Sequence, residues 1–304
     1  MQAIANKSRH WRKYGPLHLM LLPGVVMLVL FHYIPMAGIV IAFQNFIPAK
    51  GFFSSKWVGW ENFEFMLGIP GIGQILWNTI YIALLKMIFG QIAPIITALL
   101  LNEVRRSSIK RSVQTLIYLP HFLSWVILGG ILIDILSPSH GMVNEVLSWF
   151  GMKPVFFLGN ETAFPYVLVA TDVWKEFGFG TIVYLAALTS INPTLYEAAI
   201  MDGAGRWKQT FHVTLPGMLP IIVLLATLGL GGVLNAGFDQ VFNLYNPLVF
   251  RTGDILDTFV YRLGLVDAQY AVATAVGLFK SVVSLLFVSV SYWLAYRLAG
   301  YRIF

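Results

Sequence analysis

The 304-residue chain contains no cysteine and few charged residues. Without cysteine it has no disulfide framework, no Cys-ligated zinc and no thiol nucleophile. Charged residues make up 11% of the chain and hydrophobic residues 58%, whereas a soluble domain averages roughly 25% charged residues. A water-exposed surface of ordinary chemistry cannot be built from this composition, which therefore predicts a membrane protein.

The few charges leave long stretches with none. Charge-free segments lie between Lys13 and Lys50, Arg111 and Asp134, Glu176 and Glu197, and Lys208 and Asp239. Each can hold the roughly 20 residues that span a bilayer. The apolar runs are continuous rather than alternating, which favours helices over barrel strands. We predict an all-α membrane protein with six transmembrane helices over residues 17–43, 76–101, 114–136, 164–190, 214–236 and 273–297.

Basic residues cluster on alternate sides of these spans. If the N-terminus is cytoplasmic, the inside segments carry most of the Lys and Arg residues, as the positive-inside rule requires. These are Lys7, Arg9, Arg12, Lys13, Arg105, Arg106, Lys110, Arg111, Arg206, Lys208, Arg297 and Arg302. We therefore predict that both termini are cytoplasmic. Residues 1–16 form a cytoplasmic N-terminal segment, 17–298 a single six-helix membrane domain, and 299–304 a cytoplasmic tail.

The inside loop over residues 192–213 has its own helical signals. Asn192-Pro193 suits a helix N-cap followed by proline in the first turn. Gly203 or Gly205 can adopt a positive φ and end this short helix. A second amphipathic segment then leads into the fifth span at Leu215. The pattern predicts a helix-turn-helix on the cytoplasmic face.

This loop resembles the EAA loop of ATP-binding-cassette (ABC) importer permeases. The matching residues are Glu197-Ala198-Ala199, then Gly203-Ala204, and then Leu215-Pro216. Residues 59–63 (GWENF), 118–125 (YLPHFLSW) and 136–139 (LSPS) resemble the polysaccharide and oligosaccharide permeases, which are related to the maltose permeases. The resemblance covers nearly the whole chain. It implies the type I ABC importer transmembrane fold in a bacterial cytoplasmic membrane.

The resemblance also implies partners. The chain has no Gly-x-x-x-x-Gly-Lys-Ser/Thr motif to cradle nucleotide phosphates, so ATP and Mg would bind to a partner ATPase and this chain would bind no cofactor. The expected assembly contains a second, related permease, two ATPase subunits and an extracytoplasmic solute-binding protein. Membrane lipids surround it, and its substrate is an oligosaccharide. By resemblance, the ATPase-coupling residues are Glu197, Ala198, Ala199, Asp202, Gly203 and Ala204. Alternatively, the loop is an ordinary amphipathic helix at the membrane interface.

The fourth predicted span carries ionisable residues, which are costly inside a membrane and usually face an interior or a pathway. Asp172, Glu176 and Phe179 have the i, i+4, i+7 spacing of one helical face, and Trp174 and Lys175 lie beside them. Carboxylates and an aromatic ring suit a sugar, and this stripe resembles the sugar-contacting region of maltose permeases. The alternative is a mutually neutralised structural cluster of Asp172, Lys175 and Glu176.

The fifth predicted span offers small residues, which allow close approach. The candidate pathway residues there are Gly229, Val233, Asn235 and Asp239, with Asn235 and Asp239 predicted to share a helical face. A helix-packing role is the alternative. Lys86 and Lys280 are single charges within spans two and six, for which we expect snorkelling or pairing with a neighbouring helix.

Other functions have weaker support. The six histidines are scattered singly, so no metal site is expected, and no catalytic residues are assigned. The basic residues follow the topology, so no nucleic-acid partner is expected. Two alternatives remain: an integral membrane sugar or lipid enzyme using Asp172 and Glu176 as acid and base, and an ion-coupled secondary transporter, which usually has inverted repeats and broken helices.

Overall fold

The computed structural model describes the backbone of residues 2–299 and the side chains of residues 14–293, 296 and 297. The described chain divides into two compact units. One comprises the residues up to Gly68 together with Leu263–Leu278, and the other comprises Ile69–Arg262 and the residues from Phe279 onward. The side chains of Lys7, Arg9, Arg12 and Lys13 and the tail 300–304 lie outside the described residues, so the orientation remains a prediction.

The first unit begins with a long apolar helix. Its segments are α1 (Gln2–Leu28), a π-helical turn (Val29–Tyr33), α2 (Ile34–Met36) and a 3-10 helix (Ala37–Phe43). A two-stranded antiparallel sheet follows, with α3 (Gly51–Ser54) between β1 (Gln44–Asn45) and β2 (Lys56–Trp57). The helix α4 (Glu61–Gly68) comes next. Asn62 on α4 fixes the sheet by donating hydrogen bonds to the carbonyl oxygens of Ala42 and Gln44 at 2.8 and 3.0 Å.

The second unit is almost entirely helical. Its helices are α5 (Ile72–Glu103), α6 (Ser107–Tyr118), α7 (Trp125–Ile135), α8 (Met142–Trp149), α9 (Phe164–Thr189), α10 (Pro193–Met201), α11 (Arg206–Gln209), α12 (Leu215–Gly231), α13 (Phe238–Leu244), α14 (Phe250–Gly253) and α15 (Leu256–Tyr261). Short 3-10 helices occupy Leu119–Phe122 and Pro247–Val249, and π-helical turns occupy Thr210–Thr214 and Arg262–Val266. The last helix, α16 (Tyr270–Ala299), begins in the first unit and continues in the second.

Four continuous helices within the described residues are long and apolar enough to cross a membrane. They are Tyr14–Phe43, Ile72–Glu103, Arg206–Gly231 and Tyr270–Trp293. The count becomes five if the bent pair Ser107–Phe122 and Trp125–Ile135 forms one span. The chain is therefore a multi-pass membrane protein with mostly helical structure.

The third predicted span, over 114–136, is not one straight helix. The helical axis bends by 103° between Phe122 and Trp125, and Ser124 caps α7 by accepting a hydrogen bond from the Ile127 amide. Because the polar cap lies inside an apolar run, hydropathy alone does not reveal the break. The fourth predicted span corresponds to α9, which is continuous but carries Asp172, Lys175 and Glu176 and is not among the apolar spanning helices.

Among the described elements, α5 and α9 form the most extensive helix pair. One core cluster joins them to α13 and α16 around Ile82, Phe164 and Leu168, and a second surrounds Tyr184 and Met218. Close contact between α6 and α9 requires Gly178, because a Cβ there would overlap the carbonyl oxygen of Ile117. These contacts set the positions of α5, α9 and α12 relative to one another, and the candidate site lies between them.

Candidate functional site

A cavity of about 420 Å³ lies within the second unit. Its wall combines residues from α5, α9, α12 and the segment 232–237, and this wall includes polar side chains and several glycines. The polar lining residues are Lys86, Gln91, Asp172, Tyr184 and Asn235. A concave site with a few convergent polar groups among apolar ones is typical of small-molecule binding.

The segment 232–237 is unwound. The helix α12 ends at Gly231, the next residues form a turn, and Gly237 has a φ of 94° before α13 begins at Phe238. Consecutive glycines are poor helix formers, and a positive φ suits glycine. The prediction of a helix through residue 236 is therefore wrong, as is the prediction that Asn235 and Asp239 share a helical face.

Lys86 on α5 holds this unwound segment. Its ammonium donates a hydrogen bond to the carbonyl oxygen of Ala236 at 2.7 Å and a short one to Gln240 Oε1. Gln240 in turn donates to the carbonyl oxygen of Leu168 and to Thr171 Oγ1 on α9. The Lys86 side chain is 9% exposed, so these acceptors replace water around a buried cation.

Asp172 completes the network and reaches the cavity. Its Oδ1 lies 3.3 Å from Lys86 Nζ, and its side chain is 25% exposed. The ion pair joins α5 to α9, which is the pairing expected for a lysine within a span. Asp172 is therefore both a partner of Lys86 and a hydrogen-bond acceptor on the cavity wall.

The other members of the predicted stripe on α9 do not line this cavity. Glu176 pairs with His121 Nδ1 and with Lys175 Nζ, both at 2.7 Å. The imidazole of His121 stacks on Phe179, with ring centroids 4.1 Å apart and planes within 5°. Lys175 also donates to the His121 carbonyl oxygen at 3.0 Å. These contacts tie the break after α6 to α9.

The predicted pathway residues therefore fall into two groups. Asp172, Gly229, Val233 and Asn235 lie on the cavity wall. Trp174, Lys175, Glu176, Phe179 and Asp239 are not among its lining residues. The pathway role of both groups remains a prediction.

Sequence reasoning missed three polar residues of this site and recognised one incompletely. Gln91, Tyr184 and Gln240 were not identified, since a single polar side chain in an apolar run has no distinctive spacing. Lys86 was recognised as a charge needing a partner, but its acceptors lie 86, 150 and 154 residues away in sequence. Lys280 on α16 likewise pairs with a neighbouring helix, through Asp257 at 2.5 Å.

The loop over 192–213 folds by the signals read from its sequence. Asn192 caps α10 by accepting a hydrogen bond from the Thr194 amide at 3.1 Å. Gly203 has a φ of 73°, and the amides of Gly203 and Ala204 donate to Ile200 and Ala199 carbonyl oxygens at 2.9 and 2.8 Å. This is the Schellman ending of a helix. The predicted second segment runs continuously from Arg206 into α12.

The surface of α10 is unusually apolar for an exposed short helix. Leu195, Ile200 and Met201 are 52%, 60% and 87% exposed, and Glu197 and Ala198 are exposed beside them. Tyr196 faces the other way and forms a hydrogen bond with Thr214 at 3.0 Å. This bond connects α10 to the turn that leads into α12.

Within the described part of the chain, no group of three or more His, Asp and Glu side chains is placed to hold a metal ion. The polar groups of the cavity instead suit hydrogen bonding to a neutral or charged organic solute.

Comparison with known proteins places this arrangement in a family. Residues 90–300 match the family described as binding-protein-dependent transport system inner membrane component. The chain is 44% identical over 283 residues to the polygalacturonan/rhamnogalacturonan transport system permease protein YteP of Bacillus subtilis, covering 93% of this chain and 87% of that protein. It is 42% identical over 272 residues to protein LplB of the same organism, covering 90% of this chain and 86% of that protein.

A solved structure shares the fold. A crystal structure of a bacterial alginate ABC transporter, in complex with an alginate pentasaccharide-bound periplasmic protein, matches with a TM-score of 0.88 and 38% identity. The match covers 97% of this chain and 99% of that chain. The related chains are permease subunits rather than enzymes, and ATP hydrolysis belongs to a separate ATPase. This chain therefore belongs to the family of binding-protein-dependent transport system inner membrane components and is the permease component of an ABC importer.

Proposed function

We propose that the chain forms, with a second related permease, the translocation path for an oligosaccharide. Asp172, Asn235 and the backbone of the unwound segment supply acceptors and donors for sugar hydroxyls, and Gly229 and Val233 allow an apolar sugar face to approach. The names of the related permeases and the bound pentasaccharide of the alginate transporter complex support a saccharide as the solute. In this proposal a solute-binding protein delivers the sugar.

The proposal includes six crossings and cytoplasmic termini in a bacterial cytoplasmic membrane. In this proposal α9 also crosses the membrane, although its charged residues keep it out of the set of apolar spanning helices. Its 26 residues extend about 39 Å, more than the roughly 30 Å of a hydrocarbon core. Asp172, Lys175 and Glu176 each have an ion-pair partner, which lowers the cost of placing them at membrane depth.

Coupling to the ATPase is assigned to α10 and its ending, with Glu197, Ala198, Ala199, Asp202, Gly203 and Ala204 at the contact. Each of two ATPase subunits would bind ATP and Mg and receive the α10 of one permease. Closure of the ATPase pair would push α10, and the Tyr196–Thr214 bond would carry this movement into α12, turning the cavity outward. Hydrolysis would return it inward.

The observation that carries this assignment is the exposed apolar surface of α10 next to a carboxylate. A short helix fixed by caps at both ends keeps its shape when a partner closes on it. Exposed Leu195, Ile200 and Met201 provide area for a buried interface centre, and Glu197 is placed to meet a cation.

The test compares two helices with the same ending. The helix α8 also ends in a Schellman motif, since Gly151 has a φ of 75° and the Met152 amide donates to the Leu147 carbonyl oxygen at 3.1 Å. We expect Glu197→Arg with Gly203→Pro to abolish co-purification of the ATPase and sugar uptake. The matched pair Glu145→Arg with Gly151→Pro is expected to leave ATPase association intact.

Two results would contradict the proposal. Retained ATPase binding and uptake in the Glu197 and Gly203 variant would show that α10 does not couple. Uptake that persists in cells lacking the ATPase would indicate an ion-coupled secondary transporter instead.

A further inference from the structure

An apolar groove of about 570 Å³ lies apart from the cavity, at the opposite end of α5 from Ile72. One wall is the last two turns of α5, and the other is the start of the helix that runs from Arg206 into α12. The groove is lined chiefly by Ile96, Leu99 and Leu100 on α5 and by Trp207, Phe211 and Leu215 opposite.

The aromatic wall is exposed. Trp207 is 78% and Phe211 59% exposed, and their rings lie nearly parallel with centroids 6.3 Å apart. Aromatic residues of this kind concentrate where an apolar phase meets water, with tryptophan at the headgroup level of a membrane. The groove therefore opens at the membrane interface, where an apolar occupant from the membrane has access to it.

Positive charge surrounds one end of the groove. Arg206 Nη1 lies 3.0 Å from Glu103 Oε2, and both side chains are more than half exposed. Arg105, Arg106 and Lys208 are exposed and close in sequence to this pair. Because Arg105 is two residues beyond Glu103, the Cα atoms of these two residues lie within about 7 Å of each other. Among these four cations in the described structure, Arg206 alone has an ion-pair partner. Within the lining the charges of Arg206 and Glu103 cancel, so the positive charge at this end comes from Arg105, Arg106 and Lys208 beside it.

The aliphatic wall and the basic residues at one end favour a lipid. An acyl chain can follow the isoleucine and leucine wall, and a lipid phosphate can meet Arg206 at its end. An exposed ion pair such as Arg206–Glu103 adds little stability, so Arg206 can turn to a phosphate at low cost.

We propose that this groove binds one anionic phospholipid, with an acyl chain between α5 and the Trp207–Phe211 wall and the phosphate against Arg206 and its basic neighbours. The site does not depend on which solute the importer carries. It connects the lipid directly to the segment between α10 and α12.

The first experiment identifies the occupant in membranes. A photoreactive benzoylphenylalanine replaces Leu100 in the groove, and a matched one replaces Leu285 on α16; both side chains are 65% exposed. After illumination of cells carrying the whole importer, mass spectrometry determines the mass attached to each peptide. We expect phosphatidylglycerol adducts to be enriched at position 100 relative to position 285. The same lipid mixture at both positions, or a peptide adduct from another subunit at position 100, would overturn the proposal.

The second experiment measures the headgroup contacts. Native mass spectrometry of the purified importer compares retention of added phosphatidylglycerol, phosphatidylcholine and inorganic phosphate. Neutralising Arg206 or Lys208 with glutamine is expected to weaken phosphatidylglycerol binding about fivefold for each cation removed. Arg251→Gln, at an exposed arginine far along the chain, serves as the control and is expected to change nothing.

The Arg206, Lys208 and Arg251 substitutions are at exposed side chains, so they test binding without requiring the core to repack. Equal retention of phosphatidylglycerol and phosphatidylcholine by the unaltered importer would exclude an anionic site. Binding of inorganic phosphate without phosphatidylglycerol would show that the basic cluster alone, and not the groove, forms the site.

Discussion

The ammonium of Lys86 lies 2.7 Å from the carbonyl oxygen of Ala236, although 150 residues separate them in sequence. The same ammonium pairs with Asp172 on α9. A single buried side chain therefore connects three parts of the cavity wall: α5, α9 and the unwound segment after α12.

Replacing Lys86 with methionine is expected to destabilise the permease by about 3 kcal/mol, because Asp172 loses its cation and a backbone carbonyl loses its donor. The thermal unfolding midpoint of the purified importer, followed by tryptophan fluorescence, measures the loss. The double variant Lys86→Met with Asp172→Leu removes both charges and should recover part of it. A double variant as unstable as the sum of the two single variants would show that the pair is not coupled.

Asn235 and Asp239 were predicted to share a helical face, but only one of them lies on the cavity wall. Asn235 lines the cavity, whereas Asp239 is exposed on α13 and does not. We expect Asn235→Ala to raise the KM for sugar uptake about fivefold, the effect of losing one hydrogen bond. Asp239→Ala is the control and should leave KM unchanged. The reverse order of effects would place the solute outside this cavity.

Gly178 allows the backbone of α6 to approach α9. Gly178→Ala is expected to cost about 2 kcal/mol or more, because its Cβ would overlap the carbonyl group of Ile117 and force the helices apart. Gly130→Ala on α7 is a matched control, since a Cβ there meets nothing within 4 Å. That substitution should instead stabilise by up to about 1 kcal/mol. Unfolding midpoints that shift equally in both variants would contradict the close approach of α6 and α9.

Asp254 and Arg262 form a second buried pair, in the segment between α12 and α16. Arg262 Nη2 lies 2.5 Å from Asp254 Oδ2, and its guanidinium covers the ring of Phe250 at 4.8 Å. Burial lowers the pKa of Arg262, but hydrogen bonding and the charge of Asp254 outweigh burial and raise that pKa above its ordinary value. The arginine therefore remains charged throughout the accessible pH range.

We expect Arg262→Gln to destabilise by about 3 kcal/mol, since Asp254 is almost fully buried and would lose its ion-pair partner. Arg262→Lys should recover little, because an ammonium cannot reproduce the paired guanidinium contacts or the stacking. Thermal unfolding of the three proteins at neutral pH tests both statements. Full recovery by lysine would mean that charge alone matters.

Local signals in the sequence were sufficient for α10. Asn192, Pro193 and Gly203 each act within a few residues of their own position, so the cap, the first turn and the left-handed ending could be predicted. The apolar runs located most of the long helices for a similar reason, since hydropathy is a property of each segment by itself.

Features that depend on distant partners could not be predicted in this way. The unwound segment continues an apolar run through Val233 and Leu234, and its stability depends on Lys86 from another helix. The bend after Phe122 interrupts another apolar run. The stripe on α9 was predicted to form one functional face. Instead, Asp172 pairs with Lys86 on α5, whereas Glu176 pairs with His121 and Phe179 stacks on the His121 ring.

The unwound segment 232–237 determines which substitutions preserve the polarity of the cavity wall. Where α12 stops, peptide groups rather than side chains provide part of the polar cavity wall, and every residue except proline supplies the same N–H and C=O. Substitutions within the segment, other than to proline, therefore leave these peptide groups in the cavity wall. Removal of Lys86 would instead release the backbone that presents them.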